Sequence, residues 1–259
     1  MEQAKTYACP SCASGIALGH KFCGRCGASA PPEVALGKVS YYGTMQTPGR
    51  ARIVLLRGEG VEGLSYQLNA EHHVLGRDGQ IAFGDDVFVS PKHADLYYRD
   101  GVLYVKDEQS LNGVYLRMRD ERAIEFGETF LIGDQLFRLD VVTDVAEAPD
   151  AQGTFASISP STPALFRISQ LLEGGGMGLS VRAVSGVVRI GREGGEMNFP
   201  CDAYLSALHC TLEERGGRVW LKDAQSRNGT YVRIRAEMAL QHGDCLFVGK
   251  QLLRVEITA

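Results

Sequence analysis

The sequence contains no apolar run of about 18 residues, the minimum length of a helix that crosses a membrane. It has a single tryptophan, no long amphipathic helical pattern and a net charge of only −4 in 259 residues. A charge this small argues against a chain whose main task is to bind nucleic acid. The opening residues, 1–5, lack the apolar core of a signal peptide. These absences predict a cytoplasmic protein that does not insert into a membrane.

A polar pattern in the first half of the chain recurs in the second half, and from Ser-x-x-His onward the two copies have the same internal spacing. Each copy contains a Gly-Arg pair, then Ser-x-x-His, and then Asp-x-x-Ser-x-Asn-Gly. The first copy begins at Gly76-Arg77 and the second at Gly191-Arg192. A period of roughly a hundred residues is too long for a solenoid unit and matches a whole domain. The chain is therefore predicted to carry two copies of one domain.

Short segments rich in branched and aromatic residues alternate with Gly, Asp and Asn clusters along both copies. Examples are residues 51–56 and 103–105 in the first copy, and 187–190 and 218–221 in the second. Such segments predict β-strands separated by turns. Many short strands with closely spaced turn signals are typical of an all-β sandwich. The sequence thus predicts an all-β protein with two sandwiches and a small additional module.

Four of the seven cysteines form two Cys-x-x-Cys pairs near the start of the chain. Two such pairs can place four thiolates at the corners of a tetrahedron, the geometry that Zn²⁺ prefers. The segment has too few apolar residues for a core, so one structural zinc ion would supply its folding energy. An intracellular location disfavours disulfides, and iron is a minor alternative. The predicted zinc ligands are Cys9, Cys12, Cys23 and Cys26.

Catalytic patterns are missing from the rest of the chain. The sequence shows no Ser-His-Asp order and no Gly-rich phosphate-binding loop that opens a helix. A zinc ion with four Cys ligands offers no open coordination position for a substrate. The sequence therefore predicts a protein that is not an enzyme and has no catalytic residues.

Composition marks the domain boundaries. Segments rich in proline, alanine and polar residues favour extended connections between folded parts. The predicted organisation is a zinc ribbon at 1–28, a linker at 29–50, a first sandwich at 51–143, a linker at 144–162 and a second sandwich at 163–259. The first sandwich segment holds 10 Lys/Arg against 16 Asp/Glu, whereas the second holds 12 against 10. An anionic ligand is therefore expected to bind the second sandwich more tightly.

The repeated motifs, Gly-Arg, Ser-x-x-His and Asp-x-x-Ser-x-Asn-Gly, resemble those of the forkhead-associated (FHA) domain. The resemblance implies β-sandwiches that bind phosphothreonine peptides through the loops at one end. A phosphothreonine carries nearly two negative charges and three acceptor oxygens, so its reader needs a cation and several short donors. By resemblance, the arginines and loop serines contact the phosphate, and the asparagines bind the peptide backbone. The predicted phosphopeptide-binding residues are Arg77, Ser90, Asn112, Arg192, Ser206, Arg227 and Asn228.

The remaining motif residues are expected to support the binding loops. In the family, the histidine braces its loop from inside, and the glycine after the asparagine lets the chain turn sharply. Both copies depart from the family after the loop serine, where Pro91 and Ala207 stand in place of a residue that adds a phosphate contact. Lys92 and Arg227 are expected to compensate in part. The predicted loop-supporting residues are His93, Ser110, Gly113, His209, Ser226 and Gly229.

The resemblance implies a non-enzymatic adaptor of signal transduction that docks onto Thr-phosphorylated proteins, either a Ser/Thr kinase or its substrates. A zinc ribbon joined to FHA domains is similar to bacterial signalling and secretion-associated scaffolds. Two alternatives remain open. The sandwiches could be architectural modules that bind partners independently of phosphate, or the ribbon could bind nucleic acid through Lys5, Lys21 and Arg25. The ribbon lacks the aromatic-rich basic surface of a nucleic-acid reader, which disfavours the second alternative.

Overall fold

The computed structural model describes residues 6–9, 11–12, 15–17, 21–30, 50–57, 61–142, 148–155 and 162–257. The chain divides into an N-terminal unit and a unit that spans Arg52–Ile257. Most of the predicted linkers, 29–50 and 144–162, lies outside the described residues.

Strands account for nearly all of the regular structure, and the prediction of an all-β fold is confirmed. Within the described ranges, the sole helical element is a 3-10 turn at Glu173–Gly175. No helix in this part of the chain is long and apolar enough to span a bilayer. The strands form because buried and exposed residues alternate along them: in Val102–Asp107, Leu103 and Val105 face the core, and Lys106 faces solvent.

The N-terminal unit is a small hairpin beside a cysteine cluster. Strands β1 (Thr6–Ala8) and β2 (Gly15–Ala17) pair antiparallel. Cys9, Ile16 and Cys23 are buried together and form its small apolar centre. Because this centre is so small, the hairpin has little hydrophobic stabilisation of its own.

The described part of each sequence repeat contains ten strands. Those of the first repeat are β3 (Ala51–Arg57), β4 (Val61–Leu68), β5 (His72–Gly76), β6 (Ile81–Ala82), β7 (Ala94–Arg99), β8 (Val102–Asp107), β9 (Val114–Arg117), β10 (Arg122–Ile124), β11 (Thr129–Ile132) and β12 (Gln135–Asp140). Those of the second repeat are β13 (Arg167–Leu171), β14 (Met177–Arg182), β15 (Val187–Gly191), β16 (Met197–Asn198), β17 (Cys210–Arg215), β18 (Arg218–Asp223), β19 (Thr230–Arg233), β20 (Met238–Ala239), β21 (Cys245–Val248) and β22 (Gln251–Ile257).

These strands form one ten-stranded sheet and two five-stranded sheets. The order in the large sheet is β14-β13-β12-β11-β19-β9-β21-β22-β3-β4. The two smaller sheets have the orders β10-β18-β17-β15-β16 and β20-β8-β7-β5-β6. All three of these sheets therefore contain strands from both repeats.

The two repeats exchange their last three strands. Strands β10, β11 and β12 of the first repeat pair with β18, β19 and β13 of the second. Conversely, β20 pairs with β8, β21 with β9, and β22 lies beside β3. This pairing differs from the predicted arrangement, in which residues 51–143 and 163–259 each close their own sandwich. We call β3–β9 with β20–β22 the first sandwich, and β10–β19 the second sandwich.

The physical reason for the difference is that both repeats bury apolar residues at equivalent strand positions. Phe137 in β12 and Leu253 in β22 are one such pair, and both are fully buried. A hydrophobic pattern specifies which face of a strand is buried, but it does not specify which copy of a sheet the strand joins. Residues 118–121, between β9 and β10, lead the chain from the first sandwich into the second.

The core of the second sandwich is consequently built from both repeats. The rings of Phe130 and Phe137, from β11 and β12, stack with their centroids 5.3 Å apart. The ring of Phe137 also packs against Phe199 of the second repeat, at 5.5 Å. The other buried members of this core are Ile124, Ile132, Leu139, Phe166, Ile168, Ala183, Val188, Ile190, Met197, Leu205, Cys210, Leu212, Val219, Leu221 and Val232.

An approximate two-fold axis passes between β9 and β19 and relates the two sandwiches. These strands pair antiparallel, and Leu116 opposes Val232, its equivalent 116 positions later. Two antiparallel neighbours run in opposite directions. The loops that precede them, which end at Gly113 and Gly229, therefore lie at opposite ends of the strand pair.

Candidate functional site

Two sets of loops bring the predicted site residues together, one set from each repeat. We call residues 77–78, 88–93 and 110–113 the first site, and residues 192–193, 204–209 and 226–229 the second site. In the first site these segments follow β5, precede β7 and follow β8, and in the second site they follow β15, precede β17 and follow β18. The hydrogen bonds within the two sites correspond almost one to one.

The glycine of each Gly-Arg pair allows two segments of backbone to touch. A Cβ atom added to Gly76 would lie 2.1 Å from the carbonyl oxygen of Pro91, and one added to Gly191 would lie 2.0 Å from that of Ala207. This approach lets the N–H of Arg77 donate to the Ser90 carbonyl at 3.0 Å. The corresponding bond from Arg192 to Ser206 is 2.9 Å. Each arginine is thereby fixed next to the loop serine.

The two arginine side chains extend into solvent at the loop mouths. Both Arg77 and Arg192 are exposed, and neither forms an ion pair within the described part of the chain. Arg189, only three residues before Arg192, instead binds Glu196 at 2.8 Å. The two loop-mouth guanidinium groups therefore keep all of their donors for an anion.

The loop serines use their oxygen atoms as acceptors. Ser90 Oγ accepts the N–H of Leu111 at 3.2 Å, and Ser206 Oγ accepts that of Arg227 at 3.1 Å. Within the described residues neither hydroxyl donates a hydrogen bond. A hydroxyl that already accepts an N–H still has its own proton to give. Each serine can therefore join two loops and donate to a bound anion.

The histidines are fully buried and fix the serine loops to the asparagine loops. His93 Nδ1 accepts the N–H of Ser90 at 3.0 Å, and its Nε2 lies 3.0 Å from the carbonyl oxygen of Gly113. His209 makes the same pair of bonds to Ser206 and Gly229. The Nδ1 atom must be unprotonated to accept, so Nε2 carries the proton and donates. Burial lowers the pKa of His209, which favours this neutral form.

The asparagine amides are held by carbonyl groups of the serine loops. Asn112 Nδ2 donates to the Phe88 carbonyl at 2.8 Å, and Asn228 Nδ2 donates to the Tyr204 carbonyl at 2.7 Å. No described residue donates to either amide oxygen. An oriented amide of this kind can still accept an N–H from an extended peptide and donate its second proton.

A tight turn follows each asparagine. Gly113 and Gly229 have φ angles of 82° and 85°, values that residues with a Cβ atom rarely adopt. The N–H of each glycine donates to the hydroxyl of the motif serine, Ser110 or Ser226, at 2.9 Å. Asp223 binds both the N–H and the hydroxyl of Ser226, at 2.8 and 2.7 Å. Asp107 accepts the N–H of Ser110 at 3.1 Å, so the aspartate that opens each motif supports the turn.

Four other residues shape the two sites although the motifs do not mark them. Asp86 and Asp202 are buried in the serine loops and accept hydrogen bonds from the opposite repeat. Arg233 and Arg117 lie against Gly113 and Gly229 of the opposite repeat. Both pairs recur at a spacing of 116 residues, the spacing of the Ser-x-x-His and Asn-Gly motifs, and this recurrence is the one signal of them in the sequence.

The four cysteines of the N-terminal unit converge on one point. Their Sγ atoms lie within 4.8 Å of one another. The Cys9–Cys26 and Cys12–Cys23 sulfur atoms are 3.6 and 3.7 Å apart, too far for disulfide bonds. A backbone hydrogen bond from Arg25 lowers the pKa of the Cys23 thiol. This cluster can therefore hold a metal ion.

Two segments of the chain, residues 73–133 and 188–249, match the FHA domain family. Together they contain both sets of loops described above. FHA domains are interaction modules, and the matches indicate no enzyme family. A comparison with curated proteins found no match.

Several solved structures of FHA domains are similar to the chain. One comes from a structural and functional analysis of phosphothreonine-dependent FHA domain interactions: it is 12% identical and aligns over 80% of this chain and 96% of its own, with a TM-score of 0.32. The FHA domain of the CT664 protein from Chlamydia trachomatis is 11% identical over 81% of this chain and 99% of its own, with a TM-score of 0.34. The FhaA FHA domain complexed with the intracellular domain of Rv3910 is 12% identical over 80% of this chain and 99% of its own, with a TM-score of 0.30.

Proposed function

We propose that this protein, an all-β chain with two FHA-type sandwiches, is a non-enzymatic adaptor that binds phosphothreonine peptides at both sites. One observation carries the proposal: the same three groups with unused hydrogen-bonding capacity occur at each loop mouth, in the same hydrogen-bond framework. They are a guanidinium without an ion pair in the described chain, a serine hydroxyl with a free proton, and an oriented asparagine amide. An architectural module that binds partners independently of phosphate would not require this arginine, serine and asparagine set at both sites.

The chemistry of each group suits one part of a phosphothreonine peptide. The guanidinium of Arg77 or Arg192 supplies charge and paired N–H donors for the phosphate oxygens. The hydroxyl of Ser90 or Ser206 adds a short donor at its side. The asparagine amide then fixes the peptide backbone beside the phosphothreonine, which aligns the ligand without adding charge. The proposed partners are Thr-phosphorylated proteins in bacterial Ser/Thr-kinase signalling in the cytoplasm.

The strand exchange reduces the expected difference in affinity between the two sites. The strands and loops of the first sandwich (51–117 and 238–257) hold 9 Lys/Arg against 12 Asp/Glu, and those of the second (122–140 and 167–233) hold 11 against 11. The contrast in net charge is thus smaller than between the two sequence repeats. The second site keeps one local advantage, because exposed Arg227 stands where the first site has exposed Leu111. We therefore propose that the second site binds more tightly, by a margin that salt reduces.

Removal of a loop-mouth arginine should abolish most of the binding at its own site. A phosphothreonine peptide, selected from an oriented peptide library, is titrated calorimetrically into the full chain and into Arg77→Ala, Arg192→Ala and the double variant. Each single variant should lose one binding event, with a cost of about 2–5 kcal/mol at that site. This corresponds to a loss of more than about tenfold in affinity. The double variant should not bind measurably.

The matched control is Arg218→Ala, which removes the same charge from an exposed arginine on β18, away from the loops. It should bind as the unmodified chain does. The unphosphorylated peptide should bind none of these proteins. Equal affinity for phosphorylated and unphosphorylated peptide would instead favour the architectural alternative.

We also propose that the cysteine cluster holds one structural Zn²⁺. Sulfur atoms about 2.3 Å from a tetrahedral zinc ion are about 3.8 Å from one another. Two of the six separations, 3.6 and 3.7 Å, match this geometry, and all six lie within 4.8 Å. The small apolar centre of the unit, Cys9, Ile16 and Cys23, indicates that a metal would contribute most of its stability.

Loss of the metal should unfold the N-terminal unit and spare the sandwiches. Elemental analysis should find one zinc ion per chain in the unmodified protein and almost none in Cys23→Ser. Amide exchange within residues 6–30 should become fast in this variant, while the urea midpoint of the sandwiches stays constant. Cys201→Ser is the control, because Cys201 is exposed and lies far along the chain from the cluster. A full zinc content in Cys23→Ser would contradict the proposed ligand set.

A further inference from the structure

The first site contains an arginine that belongs to the second repeat. Arg233, at the end of β19, lies against Gly113, where an added Cβ would be 2.2 Å from Arg233 Nε. Arg233 Nη2 also lies 3.4 Å from the Ser110 carbonyl oxygen and 3.8 Å from Asp107 Oδ2. One guanidinium of the second repeat thus covers the turn that carries Asn112.

The second site shows the reciprocal contact. Arg117, at the end of β9 in the first repeat, lies against Gly229, where an added Cβ would be 2.2 Å from Arg117 Nε. Arg117 and Arg233 come from the two central strands of the ten-stranded sheet, and those strands pair with each other. The antiparallel pairing of β9 with β19 therefore places each arginine against the binding loop of the opposite repeat.

The covered glycine is the junction of the binding loop. Gly113 immediately follows Asn112, its N–H binds Ser110, and its carbonyl oxygen accepts from His93. His93 in turn holds the N–H of Ser90. A shift of this one peptide unit would move both the asparagine and the serine, and shifts of about 0.5 Å are enough to impair a recognition site.

A second contact from the opposite repeat holds the other side of each asparagine. In the first site, Asp86 accepts the N–H of Phe88 at 2.9 Å, and the Phe88 carbonyl binds Asn112. Asp86 also accepts from Lys250 N and Gln251 Nε2 of the second repeat, at 2.8 and 2.7 Å. Gly113, which follows Asn112, and Phe88, whose carbonyl binds the Asn112 amide, are therefore both held by residues from the opposite repeat.

The second site has the same arrangement in reverse. Asp202 accepts the N–H of Tyr204 at 2.9 Å, and the Tyr204 carbonyl binds Asn228. Asp202 also accepts from Asp134 N and Gln135 Nε2 of the first repeat, at 3.0 and 2.8 Å. The dependence on the opposite repeat is therefore mutual.

The two arginines stand at the edge of open grooves, outside the hydrophobic cores. Arg117 lines a groove of about 770 Å³, and Arg233 lines its counterpart of about 370 Å³. Each groove also contains the aspartate of the adjacent motif, Asp223 or Asp107. Loss of a guanidinium here removes a contact to the loop and leaves the packed interior intact.

We propose that Arg233 is a positioning residue of the first site and Arg117 of the second, so that each phosphopeptide site is completed by the opposite repeat. This inference rests on the proposed function for its consequence in binding, whereas the positioning itself is a property of the free protein. It predicts a crossed pattern: a substitution in one repeat impairs the site of the other.

The test uses the full chain with one site silenced at a time. In the Arg192→Ala background the first site remains, and in the Arg77→Ala background the second site remains. Into each we introduce Arg233→Met or Arg117→Met, which keep the aliphatic stem and remove the guanidinium. Affinity for the library-selected phosphothreonine peptide is measured by calorimetry, and amide exchange of residues 110–113 and 226–229 is measured without peptide.

Arg233→Met should weaken the first site at least about tenfold, speed exchange at Gly113, and leave the second site within about twofold. Arg117→Met should do the opposite. A merely structural role would lower the urea midpoint and weaken both sites alike, which would overturn the inference. So would an effect of each arginine on the site of its own repeat. Suppose that each variant speeds amide exchange only in the loop of the opposite repeat, but that neither background binds the peptide in a phosphate-dependent way. This result would support the positioning role and overturn the proposed function.

Discussion

Cleavage of the chain between the two repeats should leave a single folded particle. A protease site inserted at Gln152–Gly153, which are exposed, would separate β3–β12 from β13–β22. Each fragment supplies strands to both sandwiches, so neither can leave without opening both cores. The cut protein should elute from a size-exclusion column at the position of the intact chain. Its two fragments should separate only in denaturant.

The expected strength of this association follows from the exchanged side chains. Strands β10–β12 and the turns between them bring five buried apolar residues into the second sandwich: Ile124, Phe130, Ile132, Phe137 and Leu139. At about 1.5–3 kcal/mol for each side chain, their burial contributes about 8–15 kcal/mol. This is comparable with the whole free energy of unfolding of a domain, about 5–15 kcal/mol. Two independently folded fragments that separate at once in native buffer would contradict the strand exchange.

Substitution Phe137→Ala should destabilise the second sandwich, although Phe137 belongs to the first repeat in sequence. The side chain is fully buried between Phe130 and Phe199, and its truncation leaves a cavity in that core. The expected cost is about 3–5 kcal/mol in the free energy of unfolding, measured by urea denaturation. Amide exchange should rise mainly in β13, β15 and β17, the strands around the cavity.

Leu253→Ala is the matched control, because Leu253 occupies the equivalent position in the first sandwich and is also fully buried. It should cost about 2–5 kcal/mol and increase exchange in β3, β5 and β7 instead. Faster exchange of β3 and β7 in Phe137→Ala would show that β12 belongs with its own repeat.

The local structure could be predicted from the sequence because local residues determine it. The sequence pairs Asp100-Gly101 and Gly216-Gly217 predict hairpin turns, and both pairs form such turns between antiparallel strands. All four residues have positive φ angles. The alternation of apolar and polar residues likewise predicts which strand faces are buried. These features depend on the backbone preferences of a few neighbouring residues, which are the same wherever the strand pairs.

The pairing of strands between repeats could not be predicted in the same way. Tyr115 of β9 opposes Arg233, and Arg122 of β10 opposes Leu221, but nothing in either segment favours the opposite repeat over its own. Arg117 and Arg233 therefore look like ordinary strand-end cations in the sequence. Their contacts with the asparagine loops exist only because β9 pairs with β19 of the opposite repeat.

Strand exchange also has a consequence for how the protein is made. Arg52 in β3 binds Glu256 in β22 at 2.6 Å, across a separation of 204 residues along the chain. A ribosome that adds about 5–20 residues per second needs about 10–40 s to cover that distance. During this interval the nascent β3 has no neighbour on one side, and unpaired strand edges of this kind are prone to aggregate. We therefore expect both sandwiches to close together after the last strand has been synthesised. A stalled or incomplete chain should then contain neither sandwich in folded form.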